Sequence, residues 1–151
     1  MDKSELKVNA IKDGTVIDHI PAKDLFKVVK ILKLESVENQ VTFGTNLDSK
    51  KLGKKAIIKI SDRFFEDSDI DKIALLAPNA NLNIIKNYEV EEKRTVELPE
   101  KIKGICKCMN PKCITNAEPM QTNFTVVSKT PPALKCDYCG KVTDQEHFVI
   151  I

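Results

Sequence analysis

Four cysteines constrain the last third of this 151-residue chain more than any other feature of it. Cys108 and Cys113 form one close pair and Cys136 and Cys139 another, in the spacing Cys-x4-Cys-x22-Cys-x2-Cys. Two short chelating loops brought together offer four thiolates in a tetrahedral set, the donor arrangement of a closed structural zinc site. One structural Zn2+ is therefore the expected cofactor, and with no open coordination position it should build a surface rather than perform chemistry. Residues 101–151 carry all five cysteines, four of the seven prolines and little helical periodicity. A segment of about 50 residues encloses too small an apolar core to fold unaided. Metal binding would supply folding free energy on the order of 10 kcal/mol. Cys106 and His147 are the competing ligands. Cys106 is read as a small buried apolar residue turned away from the site, and His147 as an exposed residue of the strand-like stretch 146–150. Gly140 suits a tight knuckle turn with backbone N–H groups aimed at the sulfurs.

The preceding residues alternate in a different way. Leu6 to Ile11 alternates apolar and polar as a half-buried strand does, Lys12-Asp13-Gly14 is a turn, and Thr15-Val16-Ile17 resumes an extended segment. Pro21 opens a helical pattern in which Leu25, Val28, Val29 and Leu32 share a face. Strands follow over Gln40–Leu47, with Val41, Phe43 and Leu47 on one side, and over Lys54–Ile60. In the latter, Ala56, Ile58 and Ile60 face one way, and Lys55, Ile57 and Lys59 the other. A second helix has Ser68 and Asp71 as its expected capping pair and Ile70, Ile73, Ala74 and Ala77 as its buried stripe, with Pro78 ending it. Asn81–Ile85 and Tyr88–Arg94 are extended again. The order β-α-β-β-α-β predicts an α+β, ferredoxin-like domain over residues 1–98, one sheet covered by two helices. Residues 99–151 then form a small, mostly β, zinc-ribbon or rubredoxin-like domain.

Charge narrows the function. The chain has 24 basic and 22 acidic side chains. Residues 1–99 are neutral, 17 against 17, and residues 100–151 carry about +2 by direct count. Neither part has the basic excess of most nucleic-acid footprints. No apolar run approaches the roughly 20 residues that span a bilayer, and the charged N-terminus lacks a signal-peptide core. A cytoplasmic location is expected, where cysteines stay reduced and favour metal. Asp18-His19, Lys55, Lys59 and Lys93 are the polar residues that a βαββαβ sheet could gather. Lysines with an Asp and a His suit a polyphosphate and the hydroxyls of a sugar.

Over essentially its full length the chain resembles the regulatory chains of aspartate carbamoyltransferase. The resemblance rests on Val8-Asn9-Ala10-Ile11, on the string from Gly14 to Ala22 that contains Gly-Thr-Val-Ile-Asp-His-Ile-Pro, on Ile58-Lys59-Ile60 and on Ala77-Pro78. It continues through Asn87-Tyr88-Glu89-Val90, Leu98-Pro99, Ala117-Glu118-Pro119 and Leu134-Lys135-Cys136-Asp137-Tyr138-Cys139, with the cysteine spacing. It implies a non-catalytic subunit with an N-terminal domain binding CTP and ATP, with UTP as a further candidate effector, and pairing with a second regulatory chain. A C-terminal zinc domain would grip the catalytic chain, whose trimers make carbamoyl-aspartate for pyrimidine synthesis. Carried over by position, Asp18, Lys59, Val16 and Ile11 would lie at the ribose and base. Lys93 would hold the triphosphate with His19 and Val90 beside it, and Asn83, Ile85 and Tyr88 would line the site. Asn110, Tyr138 and Lys141 match residues that contact the catalytic chain. The sequence departs from the family's pattern at Asn9, Lys112 and Gly140. The alternatives are a zinc-ribbon nucleic-acid-binding protein, which the charge balance disfavours, and a small enzyme, for which no acid, base and nucleophile set is evident.

Overall fold

Strand β1, Gly14–Pro21, organises the N-terminal half. The computed structural model describes residues 11–151. The alternating segment expected over Leu6–Ile11 therefore lies outside the described residues, apart from its last member. The chain divides between Val96 and Glu97 into two compact units.

In the first unit β1 runs into a 3-10 turn, Ala22–Asp24, and helix α1, Leu25–Ile31. The helix thus begins later than Pro21. Pro21 holds an extended backbone (φ −56°, ψ 131°) as the last residue of β1, opposite Lys55. Strands β2, Val41–Ser49, and β3, Gly53–Ser61, form a hairpin. Helix α2, Asp67–Leu76, follows, then β4, Asn81–Lys86, and β5, Glu89–Thr95. The cap of α2 is Glu66 with Asp69, not Ser68 with Asp71: the Glu66 side chain accepts from the Asp69 backbone, and the Asp69 carboxylate receives the Glu66 N–H. Asp67 and Asp69 stand in the first turn, where carboxylates oppose the positive end of the helix dipole.

The sheet order is β2-β3-β1-β4-β5, antiparallel throughout. Its first four strands have the ferredoxin-like arrangement, and β5 extends one edge. Pleat alternation decides what each face does. Ile17, Ile20, Ala56, Ile58 and Ile60 are buried, as are Leu25 and Val28 of α1 and Ile70, Ile73 and Ala74 of α2. Removing each large side chain from water is worth about 1.5–3 kcal/mol. All seven residues of β5 are exposed, and five are charged. Among the described residues β5 is an edge strand, and charge on that scale blunts an edge against pairing with another strand.

The second unit has little core. Strands β6, Lys101–Lys103, and β7, Cys106–Lys107, precede the four-residue helix α3, Ile114–Ala117. Then come β8, Asn123–Lys129, β9, Pro132–Cys136, β10, Val142–Asp144, and β11, Val149–Ile150. One sheet runs β10-β9-β8-β6, and β11 pairs with β7. Ile102, Phe124, Leu134 and Cys136 are its most enclosed side chains. His147 lies in a 3-10 turn, Gln145–His147, rather than in a strand. It is exposed, and its Nδ1 pairs with Asp144 Oδ1 at 2.5 Å. The turn brings His147 back to Asp144, three residues before it.

Gly14 shows how closely β1 is flanked. It lies opposite Ser61 of β3 and Ile85 of β4 with φ +142°. A Cβ there would collide with the Ile60 carbonyl oxygen. Gly14→Ala should cost the N-terminal unit about 2 kcal/mol or more in a urea melt. An unchanged midpoint would contradict this register.

Candidate functional site

The second unit gathers Cys108, Cys113, Cys136 and Cys139, with their sulfurs within 4.8 Å of one another. Cys108 and Cys139 are 3.5 Å apart and Cys113 and Cys136 3.7 Å. A tetrahedron with metal–sulfur bonds of about 2.3 Å has edges of about 3.8 Å, so the spacing suits a bound metal. Donors surround the set. The Thr115 hydroxyl meets Cys113 Sγ at 3.2 Å. Backbone N–H groups of Asn110, Tyr138, Cys139 and Lys141 reach the other sulfurs. Gly140 (φ +78°) turns the knuckle, but its own N–H goes to the Cys136 carbonyl at 2.9 Å. It is the Lys141 N–H that faces sulfur.

The thiols do not ionise alike. Burial pushes Cys108 up to about 12. Burial also opposes ionisation of Cys139, yet the Lys141 N–H and the Asn110 side chain bring it down to about 7. Four thiolates this close repel one another, and a divalent cation supplies the charge that lets all four lose their protons. A metal held by all four sulfurs has its coordination closed, so its contribution is structural. Cys106 stands outside the set, 1% exposed, its thiol pushed up to about 12 by burial.

The residues matched to a partner contact lie on these knuckles. Asn110 is also part of their construction. Its Oδ1 accepts from the Lys112 N–H, and its carbonyl accepts from the Cys113 N–H and from Asn116 Nδ2. Tyr138 is exposed, with its hydroxyl accepting from Asn123 Nδ2 at 3.1 Å. Lys141 is exposed.

In the first unit the other face of the sheet carries rows of polar residues, although Val16 and Lys59 within them are themselves buried. Cross-strand register puts Lys59 beside Val16, Val16 beside Asn83, and Asn83 beside Lys93. These residues form one row over four strands. The next row is Asp18, Asn81 and Thr95. A cleft of about 240 Å³ is lined by Asp18, His19, Asn81, Asn83, Lys93, Arg94 and Thr95. A bulge between Ile17 and Ile20 places His19 at φ +61°, and its N–H bonds Asp18 Oδ1 at 2.7 Å. Lys55 Nζ lies 3.0 Å from the Asp18 carboxylate. Thr95 Oγ1 donates to Asn81 Oδ1, so Asn81 Nδ2 faces His19 Nδ1 at 3.2 Å as a donor. Lys59 is buried at 8% exposure. The Arg94 guanidinium pairs with Asp67 at the start of α2, 3.2 Å away, which leaves Lys93 as the cation lining the cleft without an ion pair to an acidic side chain among the described residues.

Asp18, His19, Asn83 and Lys93 thus line one cleft, with Val16 and Lys59 in the row beside it. Ile85 and Val90 are partners one step along the sheet. Tyr88 sits at φ +66° in the β4–β5 turn, and Ile11 lies ahead of β1. Neither lines the cleft. Asn81, Arg94 and Thr95 were not singled out from sequence. Period-two spacing from Asn83 and Lys93 is the signal that points to Asn81 and Thr95.

Comparison with known proteins fits both sites into one family. The model of "Aspartate carbamoyltransferase regulatory chain, allosteric domain" matches residues 6–97. That of its "metal binding domain" matches residues 100–149. The chain belongs to the aspartate carbamoyltransferase regulatory chain family. It is 54% identical to the regulatory chain of Bacteroides fragilis over 150 residues, 99% of this chain and 98% of that one. It is 50% identical to that of Pyrococcus horikoshii over 147 residues, 96% and 97% of the two chains. Membership makes this a regulatory rather than a catalytic chain, with an allosteric and a metal-binding domain. No helix among the described residues is long and apolar enough to cross a membrane.

Removing the metal with a chelator, or replacing a ligand by Cys113→Ser, should unfold the second unit and leave the first folded. Amide exchange resolved along the chain checks this. Protection retained over residues 101–151 without metal would contradict the structural role.

Proposed function

We propose that residues 1–98 bind nucleotide effectors and that residues 99–151 form a zinc domain that contacts the catalytic chain of aspartate carbamoyltransferase. The observation that carries this reading is the row Lys59, Val16, Asn83 and Lys93, with Asp18 and His19 beside it in the cleft. Lys93 supplies a charge for the triphosphate. Asp18 accepts ribose hydroxyls while Lys55 holds its carboxylate, and Asn83 offers an amide to a base, with the buried Val16 beside it in the row. The row holds no aromatic residue, which single-stranded RNA would need for base stacking. Zinc is the metal favoured by an all-sulfur tetrahedral donor set. A cytoplasmic setting keeps such thiols reduced.

Regulation requires an effector to bind two quaternary states with different affinity. CTP is assigned to the less active assembly and ATP to the more active one, in competition for the same cleft, with UTP a candidate to act beside CTP. Coupling of this kind is typically about 1–3 kcal/mol. Pairing with a second regulatory chain would use edge β2 rather than β5. β2 carries the exposed Phe43, packed edge-on against Phe26 of α1 at 5.8 Å, where β5 carries charge.

Calorimetry on the zinc-loaded chain tests the effector site. CTP should bind with micromolar affinity and ATP should displace it. Lys93→Ala should weaken both nucleotides by roughly ten- to a hundredfold through loss of a phosphate contact. CTP binding of unchanged strength in Lys93→Ala would sink the assignment.

A further inference from the structure

The second metal knuckle is held by a closed triangle of side chains that the reading above does not use. Lys101 Nζ donates to Thr125 Oγ1 at 2.7 Å and to Asp137 Oδ2 at 3.0 Å. The Thr125 hydroxyl donates to the other carboxylate oxygen, Asp137 Oδ1, at 2.6 Å. Both oxygens of Asp137 are therefore occupied, one from β6 and one from β8. The register fixes the triangle, because Lys101 and Thr125 are cross-strand partners. The backbone makes a parallel connection: the Asp137 N–H reaches the Asn123 carbonyl at 2.9 Å, and Asn123 Nδ2 reaches the Tyr138 hydroxyl at 3.1 Å. Asp137 and Tyr138 are the two residues between the ligands Cys136 and Cys139.

These contacts add little that the metal does not already provide for stability. Exposed ion pairs contribute about 0–1 kcal/mol, and Lys101 is half exposed. Their geometric effect is larger. The metal fixes the two ends of the knuckle by their sulfurs. The triangle fixes the span between those ends to the sheet, and Asn123 holds the far end of the Tyr138 side chain. Tyr138 is 46% exposed, and the Asn123 amide is the contact that places its ring before any partner covers it. Ordering an aromatic anchor in advance removes part of the cost of binding.

We infer that Lys101, Thr125 and Asp137 are positioning residues that lock the Asp137–Tyr138 knuckle onto the sheet and so aim the Tyr138 ring at the catalytic chain. The inference rests on the reading of Tyr138 as a contact to that chain.

The test measures binding of the zinc-loaded full chain to catalytic trimers by sedimentation, with metal content and CTP affinity followed in parallel. Lys101→Met, Thr125→Val and Asp137→Asn should each weaken trimer binding roughly three- to tenfold, with one metal per chain and unchanged CTP affinity. Lys101→Arg should restore most of the loss. In a Tyr138→Ala background, Asp137→Asn should weaken binding no further, because the triangle acts through that ring. An equal effect of Asp137→Asn with and without the ring would overturn the inference, as would unaltered binding in all three single variants. Metal loss in Lys101→Met, which is remote from the ligands in sequence, would show a structural support instead and also overturn it. Failure of the unaltered chain to bind trimers would overturn the contact reading itself, which the variants alone could not do.

Discussion

The double pairing of β1 is the constraint on which the N-terminal unit depends. One strand is hydrogen-bonded to β3 on one side and to β4 on the other, and its pleat sorts the sheet into two faces. Ile17 on one face is fully buried in the core. Val16 and Asp18 on the other join the polar rows. A slip of one residue would bury Asp18 and expose Ile17. The crowding at Gly14 and the bulge at Asp18-His19 pin the strand at both ends. The proposed effector face is therefore a by-product of the register that builds the core.

The C-terminal unit depends on a different interaction. Its sheet is narrow, and its largest enclosed side chains are few. The four sulfurs join the loops that the sheet alone does not hold, and backbone N–H groups aimed at them link local chain path to metal geometry. Asn110 shows how tightly construction and proposed contact overlap. Its amide belongs to the sulfur cage, and its position belongs to the surface offered to a partner.

Much of this was legible in the sequence. Periodicity placed both helices and most strands, and thiol spacing placed the metal set. The misplacements share a cause. The cap of α2 was sought at a hydroxyl, whereas Glu66 and Asp69 make the reciprocal bonds, because any short acceptor beside the first free N–H groups can do so. Pro21 fits a helix start or a strand end equally well, and the pairing with Lys55 decides. His147 lies in a 3-10 turn paired with Asp144 rather than in the expected strand. Lys59, Asn83 and Lys93 were identified as site residues, but that they form one row, with Asn83 and Lys93 in the cleft and Lys59 beside it, depends on strand order. Strand order is a long-range property that no local pattern carries. Resemblance supplied what periodicity could not, and it extended to Tyr88 and Ile11, which lie beyond the cleft.

The central claim is that nucleotide binds the face of the sheet that carries Asp18, along the β3-β1-β4-β5 row. Backbone amide shifts of the zinc-loaded chain, followed by NMR during a CTP titration, test it most directly. The account predicts that the largest changes fall at Val16, Asp18, His19, Lys59, Asn83 and Lys93, with the core residues Ile17 and Ile58 of the sheet and Ile73 of α2 little altered. Saturable changes confined to other parts of the chain, with that row unmoved, would contradict it.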